Sequence, residues 1–151
     1  NVLQKVYLKI FQLRITTISL KTALNTSNKN NKKSAVINGS LFSDLSGFYN
    51  EVSNVFMKDE DWKVGTLDGF VDILYGFQGE FIWKDSEKSK QDLGFEATKV
   101  FYENKIKQGK PFNIELIKQK LDDLIDGNGQ TLFEILIEIL ESHKNITLIL
   151  E

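Results

Sequence analysis

The sequence of 151 residues contains no cysteine, one proline and one histidine, His143. Without cysteine there are no disulfide bridges, thiolate metal sites or cysteine nucleophiles, and a single histidine excludes a multi-histidine metal centre. No apolar run approaches the roughly 18 residues that a membrane-spanning helix needs. A chain without cysteine fits a reducing compartment, so we expect a cytoplasmic protein that is not bound to a membrane.

The residues that are present are typical of a globular domain. Apolar residues make up 41%, aromatic residues 11% and charged residues 26% of the chain, which has the length of one ordinary domain. The charge is unevenly distributed: residues 1–33 hold seven basic side chains and no acidic one, whereas residues 34–151 hold all 21 acidic side chains and carry a formal charge of −9. Such a charge disfavours nucleic acid and favours a cationic protein partner, although solubility is an alternative explanation.

The basic segment at residues 1–33 differs from the rest of the chain. It mixes apolar residues with Lys and Arg and ends in a polar tract from Asn25 to Lys33, which is typical of a linker. The basic residues do not gather on one helical face, which argues against a membrane-surface helix. We expect a poorly ordered leader and linker, or an upstream extension, in front of one domain at residues 34–151.

Apolar periodicity and capping residues divide this domain into alternating strands and helices. In chain order the sequence predicts a strand at 34–38, a helix from Ser43 or Asp44 to about Met57, an acidic loop at 58–62, a helix from Thr66 to Gly76, a strand at 80–84, a polar stretch to Gly94, helices at about 95–107 and 113–125, a helix at 131–143 and a strand at 145–150. This alternation predicts an α/β protein with a small, mostly parallel sheet covered by helices.

Asp68 and Asp72 lie four residues apart and therefore on one face of the second predicted helix. Like charges at this spacing destabilise an isolated helix by a few tenths of a kcal/mol. A pair of carboxylates can serve acid/base catalysis, hold a metal ion, bind a cationic partner or simply be solvated. Trp62, Tyr75 and Phe77 lie nearby in the sequence, and aromatic residues beside carboxylates are typical of protein interfaces. This neighbourhood favours a protein partner.

Four blocks of the sequence resemble the barstar family of ribonuclease inhibitors. In the family's order they are KKSAVING, LDGFVDILYGF, FIWKDSEKSKQDLG and the terminal NITLILE. The resemblance covers residues 33–93 and 131–151, and residues at about 94–130 form an insertion relative to barstar. It implies a three-stranded parallel sheet flanked by helices, no enzymatic activity, no cofactor, and tight binding to a secreted, cationic ribonuclease whose active site the inhibitor occludes.

The resemblance also implies which residues of the acidic helix and its loop contact the partner. Asp72 corresponds to the carboxylate that enters the phosphate site of the nuclease and stands in for an RNA phosphate. Asp68 corresponds to a second acidic contact on the same helix. Trp62 falls where the family has an aromatic residue in the preceding loop.

Three further positions complete the implied contact surface. Glu138 matches an acidic contact on the penultimate helix, and its alternative interpretation is a solvated side chain. Val71 and Phe77 stand where barstar itself has tryptophan, so the aromatic part of the surface is smaller here. This departure leaves open an immunity or interaction protein of barstar fold that acts on a different toxin. In both cases we expect a free monomer whose partner is a basic extracellular ribonuclease or a related toxin.

An enzyme is the remaining alternative, and the sequence gives it little support. His143 lies near the end of a predicted helix, where an interaction with the helix dipole explains it without catalysis. Residues 126–130 (DGNGQ) resemble the start of a calcium loop, but Thr131 and Ile137 stand where such a loop requires glycine and a bidentate glutamate. The glycines of this segment predict a turn instead, and we expect no metal site.

Overall fold

Three parallel strands form the sheet of the domain. The computed structural model describes residues 33–151, so the leader and linker predicted at 1–33 lie, apart from Lys33, outside the described residues. The strands are β1 (Ser34–Asn38), β2 (Gly79–Lys84) and β3 (Ile146–Leu150), and β2 lies between the other two. The expected α/β fold class, a small three-stranded parallel sheet flanked by helices, is confirmed.

Six α-helices connect and flank these strands in the described part of the chain. They are α1 (Leu45–Phe56), α2 (Leu67–Leu74), α3 (Ser86–Asp92), α4 (Phe95–Gln108), α5 (Ile114–Ile125) and α6 (Leu132–Ser142). Side-chain caps fix where several helices begin: Asp44 accepts a hydrogen bond from the Gly47 amide, at 2.7 Å, and Thr131 forms a capping box with Glu134 at the start of α6. Each cap satisfies backbone amides that the first helical turn leaves without a partner.

The main core lies on one face of the sheet. Ala35 and Ile37 of β1 align with Phe81 and Trp83 of β2, and all four side chains are buried. They pack against apolar side chains of α1, α2 and α6, and the Phe48 ring stacks on the Trp83 indole with 5.2 Å between ring centroids. This packing fixes α2 and α6 against the sheet and leaves their outer faces exposed.

Helix α3 falls in the stretch that the sequence predicts only as polar. Its buried residues are serines: the Trp83 indole nitrogen donates to Ser89 Oγ at 3.0 Å, and Ser86 Oγ donates to the Glu151 carbonyl at 2.8 Å. The Lys88 ammonium also donates to the Phe42 carbonyl, at 2.7 Å. The helix is therefore held by hydrogen bonds rather than by an apolar stripe, and apolar periodicity could not reveal it.

The segment predicted as an insertion folds into two consecutive helices, α4 and α5, which are joined by a short loop and which we call the α4–α5 hairpin. The hairpin has a small core of its own, formed by Tyr102, Ile117 and Leu124, and Phe101 packs against both this core and the main core. A buried contact ties it to the body, since Thr98 Oγ1 accepts a hydrogen bond from the Leu132 amide at 2.8 Å. The hairpin is thus a distinct packing unit placed beside α6.

Candidate partner-binding surface

Helix α2 presents an acidic face because its opposite face is anchored in the main core. Thr66 caps the helix by accepting a hydrogen bond from the Gly69 amide at 3.0 Å, as the sequence predicts. Phe70 and Leu74 are buried, at 0% and 1% exposure. Asp68 is consequently exposed and Asp72 half-buried, so the helix turns both carboxylates away from the sheet.

The two carboxylates of α2 have no compensating cation among residues 33–151. Within residues 33–151, neither Asp68 nor Asp72 accepts a hydrogen bond or forms an ion pair. Partial burial raises the pKa of the Asp72 carboxyl above its ordinary value, and the neighbouring charge of Asp68 raises it further. The same Asp68 charge adds to burial in raising the pKa of the Tyr49 hydroxyl. The surface therefore holds negative charge that no cation of the described residues pairs with, although the N-terminal end of α2 partly stabilises Asp68.

Tyr75 extends this acidic face by one helical turn and was missing from the predicted contact residues. It follows Asp68 by seven positions and Val71 by four, and its side chain is 69% exposed. Its ring meets the His143 ring edge-on, with 5.2 Å between centroids. The helical spacing in the sequence is the signal that could have identified it. Val71 is half-buried, and its role as a contact residue stays a prediction.

His143 supports Tyr75 from the end of α6. Its Nδ1 lies 2.7 Å from the Ile139 carbonyl oxygen. Because a carbonyl oxygen can only accept a hydrogen bond, we assign the proton to Nδ1 as the donor. Its Nε2 is buried and has no hydrogen-bond partner in the described chain. His143 is the C-cap residue of α6, and its role at Tyr75 is one of packing.

Phe77 does not belong to this surface, and its assignment as a contact residue is wrong. The side chain is only 4% exposed, and its ring packs edge-on against Phe56 with 5.2 Å between centroids. Helix α2 ends at Leu74, and the Phe77 amide donates to the Leu74 carbonyl at 3.0 Å as the chain turns towards β2. This turn directs the ring into the core, so Tyr75 is the aromatic residue left on the exposed face.

Trp62 lies at the edge of the domain, at the end of the acidic loop. Residues 58–61 are exposed, whereas the Trp62 side chain is half-buried and packs against the rim of the main core. The loop is held close to α1 because the Val64 amide donates to Ser53 Oγ at 2.9 Å. The exposed part of the indole remains accessible to a partner.

Glu138 lies on the exposed face of α6, next to a groove beside the α4–α5 hairpin. Gln130 Nε2 donates a hydrogen bond to Glu138 Oε2, so the carboxylate is oriented by its own chain. We define the hairpin groove as two adjoining clefts, of about 470 and 730 Å³, that share Leu67, Phe101 and Lys105 in their walls. Asp68 lines the first cleft and Glu138 the second. Two predicted contact residues on different helices therefore border one continuous depression.

Lys105 of α4 lies in the wall of both clefts. Its ammonium is 4.1 Å from the centroid of the Phe112 ring and 4.8 Å from that of Phe101, which are cation–π distances. The hairpin side of the groove is thus a basic and aromatic wall opposite the acidic residues of α2 and α6.

Among residues 33–151 there is no group of three or more side chains that could hold a metal ion, and no helix in that range is long and apolar enough to cross a membrane. No protein-family model, curated protein or solved structure matches the chain.

Proposed function

We propose that this protein inhibits a secreted barnase-type ribonuclease by covering its cationic active site with the acidic face of α2. The observation that carries the proposal is Asp72, a half-buried carboxylate without a cation in the described chain and with a raised pKa. A charge that costs folding free energy is retained most readily where it contributes to binding. The resemblance of the four sequence blocks supplies the identity of the partner.

The chemistry of such a complex follows from the substrate that the nuclease binds. An enzyme that holds RNA phosphates presents a preformed pocket of Arg, Lys and His donors, and a carboxylate forms strong charge-assisted hydrogen bonds with them. Asp72 stands on a capped helix packed on the sheet, so little conformational entropy is lost when it enters the pocket. Asp68, one turn away, offers a second carboxylate to the same basic surface.

The neighbouring side chains supply the rest of the contact. Tyr75 is a large, exposed aromatic residue beside the carboxylates, and tyrosine is enriched among the residues that dominate binding energy. Val71 adds apolar area between the two acidic side chains. The sheet and its flanking helices agree with the fold class that the resemblance implies.

The proposal describes binding and no catalysis by this chain. The inhibitor acts in the cytoplasm, is monomeric when free and carries no cofactor. Its domain has an excess of negative charge, which accelerates encounter with a basic nuclease.

The test is inhibition of a barnase-type ribonuclease by the full chain and by two variants of equal charge change. Asp72→Asn removes the central carboxylate, and Asp122→Asn removes one from the exposed surface of α5. We expect stoichiometric inhibition by the wild type and by Asp122→Asn. Asp72→Asn should weaken binding by about 2–5 kcal/mol, the usual effect of removing one partner of a buried charge pair.

Two results would contradict this proposal. Absence of inhibition by the wild type would exclude a ribonuclease of this type as the partner. Equal weakening by Asp72→Asn and Asp122→Asn would show that net charge, and not the acidic face of α2, determines binding.

A second candidate function keeps the same surface but changes the partner. The aromatic part of the surface is small, because Val71 replaces a tryptophan of barstar and Phe77 is buried. This observation favours an immunity protein directed at a different basic toxin. Protection against such a toxin, lost in Asp72→Asn, together with no inhibition of a barnase-type ribonuclease, would support this candidate.

A further inference from the structure

We propose that the α4–α5 hairpin is a second wall of the partner-binding surface, and that Lys105 and Lys120 bind acidic groups next to the partner's cationic site. The inference rests on the proposed function and adds to it a chemical requirement on the partner. The partner must carry a basic site with at least one carboxylate on its flank.

The acidic residues border the hairpin groove, so a partner that binds them also contacts the hairpin. Asp68 borders one cleft of the hairpin groove and Glu138 the other, with Leu67 shared between them. The opposite walls of both clefts are formed by the hairpin. A partner that engages both carboxylates therefore spans the groove and meets the hairpin on its far side.

The hairpin wall carries the opposite charge to the α2 side. Lys105 lines both clefts and Lys120 of α5 lines the larger one, while Asp123 is the acidic side chain that the hairpin contributes there. Within residues 33–151 neither lysine forms an ion pair. Lys105 is held in place by the Phe101 and Phe112 rings. Both ammonium groups are free to pair with carboxylates on a partner.

A groove with acidic residues on one side and lysines on the other selects partners by charge pattern. A nuclease with a uniformly basic surface meets repulsion from the hairpin, whereas one with an acidic loop beside its basic site gains ion pairs on both sides. Repulsive contacts of this kind discriminate between related partners more than they raise affinity. The hairpin thus serves partner specificity.

Substitutions at two lysines of α5 distinguish an effect of this local contact from an effect of long-range electrostatics. Lys118 lies two positions before Lys120, pairs with Glu115 at 3.6 Å and is absent from the groove walls. Lys118→Glu and Lys120→Glu change the net charge by the same amount. Long-range attraction to a basic partner predicts tighter binding for both variants. Our proposal predicts weaker binding for Lys120→Glu and unchanged or tighter binding for Lys118→Glu.

The experiment measures dissociation constants of the full chain and both variants for a barnase-type ribonuclease by titration calorimetry. We expect Lys120→Glu to weaken binding at least tenfold and Lys118→Glu to leave it unchanged or tighter. Both positions are exposed on a helix, and thermal melting of each variant checks that it folds.

The outcomes separate the two proposals. Wild-type binding with equal shifts for the two variants overturns the role of the hairpin and leaves the proposed function intact. No binding by the wild type overturns the proposed function and this inference with it. Hydrogen exchange of the unmodified chain provides a further check that needs no variant: amides of residues 101–108 must become protected in the complex, and unchanged exchange there contradicts the inference.

Discussion

Asp72 lies one helical turn beyond Asp68 on α2, and the charge of Asp68 adds to partial burial in raising the pKa of the Asp72 carboxyl. Both effects penalise the ionised form, so the ionised carboxylate destabilises the folded state. Ionisation of Asp72, which the proposed binding surface requires, therefore lowers the stability of the free protein.

This linkage predicts a pH-dependent gain in stability for Asp72→Asn. The folded pKa lies above the unfolded one, so the folded state holds the proton more tightly and loses stability as pH rises through that interval. At pH 7 the variant should melt at a higher temperature than the wild type. The gain should vanish as pH falls below the ordinary carboxyl pKa. Melting curves at several pH values measure this, and an equal gain for Asp122→Asn would contradict it.

Alanine substitutions at Tyr75 and Phe77 should have different effects, the first mainly on partner binding and the second mainly on stability. Tyr75→Ala changes an exposed side chain and should alter the free energy of unfolding by about 0.5 kcal/mol or less, but weaken partner binding. Phe77→Ala empties a buried site and should cost about 3–5 kcal/mol of stability. Urea denaturation and inhibition assays on both variants test this. A stability loss as large for Tyr75→Ala as for Phe77→Ala would mean that Tyr75 is structural.

Salt should act mainly on the association rate of the complex. The excess negative charge of residues 34–151 attracts a basic partner over a distance that added salt shortens. Stopped-flow measurements should show association slowing steeply with ionic strength while dissociation changes little. A dissociation rate that carries most of the salt effect would argue against steering by the domain's charge.

Ser89→Ala should destabilise the domain although it removes only one oxygen atom. Trp83 and Ser89 are both 0% exposed, and Ser89 Oγ accepts the indole hydrogen bond. Without this acceptor the buried N–H is unsatisfied, at a cost of about 1–3 kcal/mol. Urea denaturation measures the loss. Ser46→Ala, at an exposed position of α1, is the control, and equal transition midpoints for the two variants would contradict the prediction.

Thr98→Val should loosen the attachment of the α4–α5 hairpin to α6. The substitution keeps the shape of the side chain but removes the acceptor of the Leu132 amide and the donor to the Gly94 carbonyl. We expect a loss of about 1–3 kcal/mol and faster hydrogen exchange of the Leu132 amide. Thr147→Val, at an exposed position of β3, is the control. Unchanged exchange at Leu132 would show that this bond does not hold the hairpin.

The elements predicted from the sequence are those with local signals. A short apolar run closed by Asn38 and Gly39 marks β1, and the caps Asp44 and Thr66 mark where α1 and α2 begin. Helix α3 gave no such signal, because Ser86 and Ser89 are buried through hydrogen bonds to distant parts of the chain. Periodicity registers apolar burial only, so a helix held by serines escapes it.

The candidate site was predicted in part for the same reason. The spacing of Asp68 and Asp72 placed both on one helix face, and capping by Thr66 fixed the phase of that helix. Phe77 was assigned from the barstar resemblance alone, and its burial involves packing against Phe56, a residue of another helix. The groove between Asp68 and Lys105 arises from tertiary packing of the hairpin, which no spacing in the sequence encodes.

The separate core of the α4–α5 hairpin has an evolutionary consequence. Tyr102, Ile117 and Leu124 form a cluster distinct from the main core, with Phe101 in contact with both, and substitutions at positions far apart without shared partners have nearly additive effects on stability. Exposed polar residues of the hairpin that face the groove, such as Lys120, can therefore change while the sheet and its strand pairing are unaffected. If the hairpin forms part of the proposed binding surface, that part can change by small steps, each of them compatible with a folded protein.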